Sequence, residues 1–178
     1  MKMVAKLTTG FCPHCKTKLV MPTGPLDAKI GILSDHPGEE EIKQGKPLVG
    51  KTGQVVHAEL AKVGIPLWEC RVTNLWMHEP LDECDIDWHA TQAAVALSRC
   101  EYIMIMGADA CNYFLDRNVS DISGIKMKSK FLPRAKAIVA SPNPAIVFHA
   151  PSGELLLAIE RFASITKHKK AGFVHISK

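Results

Sequence analysis

The sequence predicts an α/β protein: a three-layer α/β/α sandwich with a central four-stranded parallel sheet. Four short apolar runs follow one another along the chain, and a segment with helical spacing of its apolar residues comes after each run. Apolar runs without polar alternation are typical of parallel strands buried on both faces. A regular alternation of strands and helices favours a parallel sheet with helices on both sides. The predicted strands are residues 29–33, 70–75, 102–106 and 135–140.

The helices are predicted from apolar spacing and from residues that begin or end helices. Gly64 is expected to end the first helix and Asp87 to cap the second. Gly107 stands directly before the third. The predicted helices run approximately over residues 52–63, 87–99, 108–115 and 151–165, and a long polar loop is expected over residues 34–50.

The length of 178 residues predicts one domain with short appended segments. We expect an irregular N-terminal arm over residues 1–28, the α/β domain over residues 29–166 and a basic tail over residues 167–178. A hydrophobic fraction of 47% excludes a disordered or fibrous chain. The net charge of +4 permits nucleic-acid binding without requiring it.

The sequence lacks the features of membrane or exported proteins. No apolar run approaches the length of about 20 residues that a membrane helix needs. Residues 1–10 are basic but lack the apolar stretch of a secretory signal. We therefore expect an intracellular, cytoplasmic protein with no membrane partner.

The six cysteines are expected to be thiols, because disulfides belong to exported proteins. Cys12 and Cys15 form a CxxC pair, which occurs in redox sites, zinc knuckles and iron–sulfur sites. A thioredoxin-type redox pair normally follows a strand and opens a helix. Because no apolar strand precedes Phe11, the sequence favours metal binding.

Five segments form a recognisable set. The N-terminal CxxC pair is followed by SDHPGEEE at residues 34–41 with GKPLVG at residues 45–50, then by VTN at 72–74, IMGADA at 105–110 and SPNP at 141–144. In order and spacing, these segments resemble the iron–sulfur branch (family 4) of the uracil-DNA glycosylase superfamily. The resemblance covers about residues 10–163 and implies the glycosylase α/β fold.

The resemblance implies a DNA-repair enzyme that flips uracil out of DNA and hydrolyses its N-glycosidic bond. It implies that Asn74 reads the base through its side-chain amide and that Asp35 positions or activates the attacking water. Ser141 stands where the family has a catalytic histidine. The residues expected to contact the base or the DNA are His36, Pro37, Gly38, Leu48, Gly50, Asn74, Pro142 and Asn143.

Two of these positions depart from the family pattern and imply weakened activity. Leu48 replaces the aromatic side chain that stacks on uracil, and such stacking contributes about 1–3 kcal/mol per base. Ser141 replaces a histidine that stabilises charge on the departing base, and losing such a donor costs about 100- to 1000-fold in rate.

Two other interpretations remain open on the sequence. In one, the protein is a catalytically impaired glycosylase fold that binds DNA or a replication or repair protein. In the other, it is a flavodoxin-like nucleotide enzyme, which is disfavoured because no glycine-rich phosphate loop follows the first strand.

The resemblance also implies a 4Fe–4S cluster held by the CxxC pair and two further ligands. The family's third ligand lies four residues after the asparagine of VTN, where this chain has His78. Cys84 is expected on the same side of the sheet as His78, whereas Cys70 begins the strand at its opposite end and Cys100 ends a helix that places it about 20 Å away. The predicted ligands are Cys12, Cys15, His78 and Cys84, and the predicted group is a 4Fe–4S cluster, with zinc as the alternative.

Overall fold

The computed structural model describes residues 6–149 and 153–166. Its strands are β1 (Ile30–Ser34), β2 (Arg71–Asn74), β3 (Tyr102–Met106), β4 (Lys126–Met127) and β5 (Ala137–Ser141). Its helices are α1 (Glu39–Gln44), α2 (Lys51–Lys62), α3 (Ile86–Ala96), α4 (Ala108–Leu115), α5 (Val119–Ile122) and α6 (Glu154–Thr166). Short 3₁₀ turns cover Leu67–Glu69 and Pro144–Phe148. None of the helices in these two ranges has the length and apolar character required to cross a membrane.

The strands form one sheet in the order β2-β1-β3-β5-β4. The first four strands of that order are parallel, and β4 pairs with β5 in the antiparallel direction. The predicted α/β fold with four parallel strands is therefore confirmed. The fifth strand was not predicted, because a strand of two residues is too short to show a hydrophobic period.

Each face of the sheet carries its own apolar layer. Leu33, Ile103 and Ile105 pack with residues of α3 and α4 on one face. Ile32 and Met104 pack with residues of α2 and α6 on the other. Successive strand residues thus point to opposite faces, and both faces are apolar because both are covered. This arrangement is the predicted three-layer sandwich.

All four predicted helices are present, and the bounds of three of them differ from the prediction by one to three residues. Helix α4 has the predicted bounds, α2 begins and ends one residue early, and α3 begins one residue early and ends three residues early. Helix α3 begins at Ile86, and its capping residue is Asp85, whose side chain accepts a hydrogen bond from the Asp87 N–H group at 2.9 Å. The prediction that Asp87 caps this helix was wrong by two residues. The predicted start of the last helix, at residue 151, lies outside the described residues.

Helix α1 lies in the segment predicted to be a loop. It has six residues, most of them charged, and therefore has no apolar stripe that would predict a helix. Gly45 ends it in the left-handed conformation, with φ +68°. Glu41 is the buried residue of this helix. Its side chain forms contacts outside the helix, so α1 depends on tertiary structure.

The N-terminal arm is irregular, as expected, and its described part packs against the domain. The Val20 N–H group donates to the Met77 carbonyl at 2.6 Å, and Thr23 exchanges two backbone hydrogen bonds with Val72. The division between arm and domain after residue 28 stays a prediction. The predicted basic tail over residues 167–178 lies outside the described residues.

Candidate functional site

The register of the parallel strands brings the carboxyl ends of β1, β2 and β5 to the same end of the sheet. Ser34 lies opposite Asn74 on one side and opposite Met106 on the other, and Met106 lies opposite Ser141. A cavity of about 190 Å³ opens at this edge. Ligands of open parallel sheets bind at such carboxyl ends. Six of the predicted site residues line the cavity: Asp35, His36, Gly38, Leu48, Asn74 and Asn143.

Asn74 lies at the end of β2 and presents a hydrogen-bond donor to this cavity. Asn74 is almost completely buried, with 2% of its surface exposed. The Ser34 hydroxyl donates to Asn74 Oδ1 at 2.6 Å, which fixes the orientation of the amide. The buried Nδ2 group has no hydrogen-bond partner among the described residues. A buried unpaired donor costs about 1–3 kcal/mol, so this group favours a ligand that carries an acceptor.

Asp35 follows β1 and lies against the N-terminus of α4. Its Oδ1 atom accepts a hydrogen bond from the Ala110 N–H group at 2.9 Å. Burial raises the pKa of the Asp35 carboxyl, and the charge of Asp109 raises it further; the Ala110 hydrogen bond and His36 oppose this shift. The result is a fixed carboxylate that accepts a proton more readily than a solvent-exposed aspartate does.

Gly107 is the residue that lets this carboxylate approach the helix. It has φ +119° and ψ +163°, a conformation that is essentially restricted to glycine. A Cβ atom at this position would overlap the Asp35 carboxylate. The short strand-to-helix connection and the position of Asp35 therefore depend on the same glycine.

Glu41 organises the loop on the other side of the cavity, a role that the sequence analysis did not assign. Its Oε1 atom accepts from the N–H groups of Val49 at 2.9 Å and Gly50 at 2.7 Å. Its Oε2 atom accepts from the Gly38 N–H group at 3.2 Å. These bonds hold the loop around Leu48, which lines the cavity with a left-handed backbone, φ +54°. The spacing Gly38-x-x-Glu41 resembles a capping box and was the available signal.

The other predicted residues are distributed around the cavity. Asn143 is exposed, and its Oδ1 atom accepts from the Ala145 N–H group at 2.9 Å, which caps the following 3₁₀ turn. His36 is exposed at the cavity mouth, whereas Pro37 and Pro142 are buried. Ser141 is fully buried, and its hydroxyl donates to the Pro142 carbonyl at 3.1 Å. Its role in catalysis stays a prediction.

A cluster of thiols and imidazoles, which we call the metal centre, joins the arm to the domain. It contains all four predicted ligands, Cys12, Cys15, His78 and Cys84, together with His89. The Cys12 and Cys84 sulfurs are 4.0 Å apart. His78 Nε2 lies 3.5 Å from Cys15 Sγ and 3.6 Å from Cys84 Sγ.

The elements that form the metal centre come from distant parts of the chain. Cys12 and Cys15 lie in a hairpin turn, closed by a hydrogen bond from the Cys12 N–H group to the Thr17 carbonyl at 2.8 Å. His78 follows β2, and Cys84 precedes α3. Burial raises the pKa of the Cys15 thiol, but hydrogen bonds with Thr17 and the neighbouring thiols outweigh it and lower the pKa to about 7. Such a thiol gives up its proton to a metal readily.

His89 was not among the predicted ligands. It is fully buried on α3, and its Nε2 atom lies 3.9 Å from Cys12 Sγ. The donor atoms of Cys12, His78, Cys84 and His89 lie within 4.8 Å of one another. No spacing rule points to His89, because its position depends on how α3 docks onto the sheet.

Three cysteines lie away from the metal centre, and the sequence analysis predicted this for Cys70 and Cys100. Cys70, Cys100 and Cys111 are buried in the two apolar layers of the sandwich. Burial raises the pKa of Cys70 and Cys111 to about 12 and that of Cys100 to about 11. These thiols are protonated at neutral pH and pack as small apolar side chains.

Comparison with known proteins agrees with the resemblance drawn from the motifs. The family model of the uracil DNA glycosylase superfamily matches residues 21–166. A type-4 uracil-DNA glycosylase of Thermotoga maritima is 26% identical over 148 residues, which cover 79% of this chain and 77% of that protein.

Substitution of Gly107 tests the link between helix α4 and the Asp35 carboxylate. We expect Gly107→Ala to lower the free energy of unfolding by about 2–5 kcal/mol, because it adds backbone strain and displaces Asp35 from the Ala110 N–H group. Urea unfolding measures the change. Gly45→Ala is the matched control, because Gly45 also has a positive φ but a Cβ atom there meets nothing within 4 Å. Equal losses in the two variants would contradict the proposed overlap with Asp35.

Proposed function

This chain belongs to the uracil DNA glycosylase superfamily, and from that premise we propose that it hydrolyses the N-glycosidic bond of uracil in DNA. The observation that carries the proposal is the pairing of a buried, unpartnered amide donor on Asn74 with the Asp35 carboxylate in one cavity. The Asn74 amide forms a hydrogen bond with the base, and the Asp35 carboxylate accepts a proton from the attacking water. The retention of both groups favours an enzyme over a module that only binds DNA.

Asn74 reads the base by hydrogen bonding. Ser34 occupies one lone pair of Oδ1, so Nδ2 faces the cavity as a donor. A donor pairs with a carbonyl oxygen of uracil but meets the exocyclic amino group of cytosine as a second donor. A site that is built to satisfy a buried polar group rejects a ligand that cannot do so. The fixed amide therefore supports selection of uracil.

Asp35 prepares the water. Its Oδ1 atom is held by the Ala110 N–H group, which leaves Oδ2 to accept a proton from the attacking water. By the motif resemblance Asp35 stands where the family has a glutamate, and the aspartate side chain is one methylene shorter. Its attachment to the N-terminus of α4 compensates by fixing the carboxylate beside the cavity. Hydrolysis gives free uracil and a DNA strand with an abasic site.

The side chains at positions 48 and 141 are expected to slow the reaction. Leu48 closes the side of the cavity without an aromatic face for stacking. Ser141 is buried, with its hydroxyl directed to Pro142, so it supplies no cationic group to the departing base. His36 lines the cavity and is the residue available to supply such a charge.

The metal centre has a structural role in this proposal. Cys12, Cys15, His78 and Cys84 would hold the bound group and fasten the arm to the domain, away from the base pocket. The type-4 resemblance favours a 4Fe–4S cluster as that group, and the three-cysteine, one-histidine donor set also suits zinc. The proposed partner is uracil-containing DNA, single- or double-stranded. Binding to replication or repair proteins stays a prediction.

An excision assay tests the proposed activity. We expect the protein to release uracil from a single-stranded oligonucleotide about 100- to 10,000-fold more slowly than typical glycosylases, because both stacking and a charge-stabilising donor are missing. Asn74→Ala should lower the rate by at least about 100-fold, as measured by strand cleavage after alkali. The exposed Asn112→Ala is the control for an asparagine-to-alanine change. Unchanged excision by Asn74→Ala would reject the assigned pocket.

Ser34 is proposed as a positioning residue for Asn74. We expect Ser34→Ala to raise the KM for uracil-containing DNA about 5- to 10-fold with a smaller effect on kcat, because losing one hydrogen bond of about 1 kcal/mol frees the amide to rotate. Ser34→Thr retains a hydroxyl and should restore the KM. A loss in kcat alone, or no rescue by threonine, would contradict the positioning role.

The raised pKa of Asp35 predicts the acid limb of the pH profile. Asp35 must be ionised to accept a proton, so kcat/KM should fall as the pH is lowered through its raised pKa. Asp109 is exposed, and its charge contributes to that rise. Asp109→Asn should therefore move the acid limb to lower pH while the maximum rate is retained. A shift to higher pH, or none, would show that another group controls the limb.

A further inference from the structure

The separations between donor atoms in the metal centre are those of a single metal ion. Zinc binds sulfur at about 2.3 Å and imidazole nitrogen at about 2.0–2.1 Å, so tetrahedral ligands lie about 3.5–3.8 Å from one another. Here the Cys12 and Cys84 sulfurs are 4.0 Å apart. His78 Nε2 is 3.5 Å from Cys15 Sγ and 3.6 Å from Cys84 Sγ. Each of these three separations is within a few tenths of an ångström of the tetrahedral value.

A 4Fe–4S cluster requires a wider arrangement. Each of its four ligands binds a different iron, and a cube of iron and sulfide stands between them. Ligand atoms in such a site cannot be in mutual contact. The donor atoms of Cys12, His78 and Cys84 lie within 4.8 Å of one another, and Cys15 Sγ is 3.5 Å from His78 Nε2. Cys12 and His78 are also fully or almost fully buried, at 0% and 1% exposed. The residues therefore do not fit a four-iron cluster at this spacing.

We propose that the metal centre holds one zinc ion, bound by Cys12, Cys15, Cys84 and His78. Three thiolates and one neutral imidazole are a common structural zinc set. All four positions are occupied by protein, so the ion has no open position for water and performs no chemistry on DNA. Its role is to connect the hairpin of the arm to the segment between β2 and α3.

The hydrogen bonds of the two histidines determine which one binds the metal. The His78 Nδ1–H group donates to the Glu79 carbonyl at 2.6 Å. Because the proton is on Nδ1, the lone pair is on Nε2, the atom that faces Cys15 and Cys84. An imidazole held by a carbonyl in this way is the usual form of a metal-bound histidine.

His89 has the opposite arrangement. Its Nδ1 atom accepts a hydrogen bond from the Met77 N–H group at 3.4 Å, so the proton is on Nε2. This N–H group points toward the Cys12 sulfur, 3.9 Å away. A protonated nitrogen cannot bind a metal, but it can donate to a thiolate. His89 is therefore a hydrogen-bond donor that supports Cys12 and offsets the negative charge of three thiolates around a divalent ion.

Metal and sulfide analysis tests the identity of the ion. The full chain is purified without oxygen from cells supplied with both iron and zinc. We expect one zinc per chain, no acid-labile sulfide and a colourless protein. Four irons and four sulfides per chain, with broad absorbance near 400 nm, would overturn the proposal.

Substitution with Co²⁺ tests the ligand assignment independently of activity. The native protein loaded with Co²⁺ should show the intense visible bands of a tetrahedral site with thiolate ligands. His78→Cys should retain the metal and shift the spectrum toward a four-thiolate site. This variant keeps four ligands, so the result does not depend on whether His78→Ala folds. An unchanged spectrum would remove His78 from the ligand set.

The His89→Phe variant tests whether His89 is a hydrogen-bond donor to Cys12 or a metal ligand. It should keep the native Co²⁺ spectrum and weaken metal affinity about 10- to 100-fold, the usual effect of removing a partner that supports a metal ligand. Cys111→Ser, in the apolar layer, is the control and should leave both the spectrum and the affinity unchanged. A changed coordination spectrum in His89→Phe would show that His89 is itself a ligand and overturn the assignment.

Discussion

The parallel register of β1, β2, β3 and β5 is the constraint on which the site depends. It places Ser34 level with Asn74 and Met106 level with Ser141, so residues far apart in sequence end at the same edge. The hydroxyl of Ser34 and the amide of Asn74 meet because their strands are hydrogen-bonded neighbours. A shift of β2 by one residue against β1 would turn Asn74 to the face of the sheet opposite the one that carries Ser34. The Asn74 amide is therefore as fixed as the sheet itself.

Two buried carboxylates extend this rigidity into the loops. Asp35 accepts from the N-terminus of α4, and Glu41 accepts from three backbone N–H groups around the Leu48 loop. In each case a carboxylate satisfies amides that would otherwise be unpaired at a helix end or turn. For Asp35 the hydrogen bond from Ala110 offsets part of the cost of burial, which still raises the pKa of the carboxyl. The protein's own hydrogen bonds thus shape the cavity, which lowers the cost of ordering it when a ligand binds.

The metal centre and the base pocket are connected by a short stretch of chain. Asn74 ends β2 within the pocket, and His78 lies four residues later in the metal centre. Between them, the Trp76 N–H group donates to the Asp35 carbonyl at 2.8 Å. Fixing His78 therefore limits the movement of the segment that follows Asn74. The metal centre is therefore coupled to the end of β2 through this segment.

The sequence by itself determined the layers, the four parallel strands and the bounds of α4, because buried apolar runs and a glycine before a helix are local signals. Through the family resemblance it also predicted Cys12, Cys15, His78 and Cys84 as metal ligands, and the structure brings these side chains together. The tertiary structure alone decided the rest. Helix α1 exists through the contacts of Glu41, and the place of His89 depends on how α3 packs. The spacing of the metal donors is also a tertiary property, because it is set by how an arm, a loop and a helix meet, and no one of these segments contains that information.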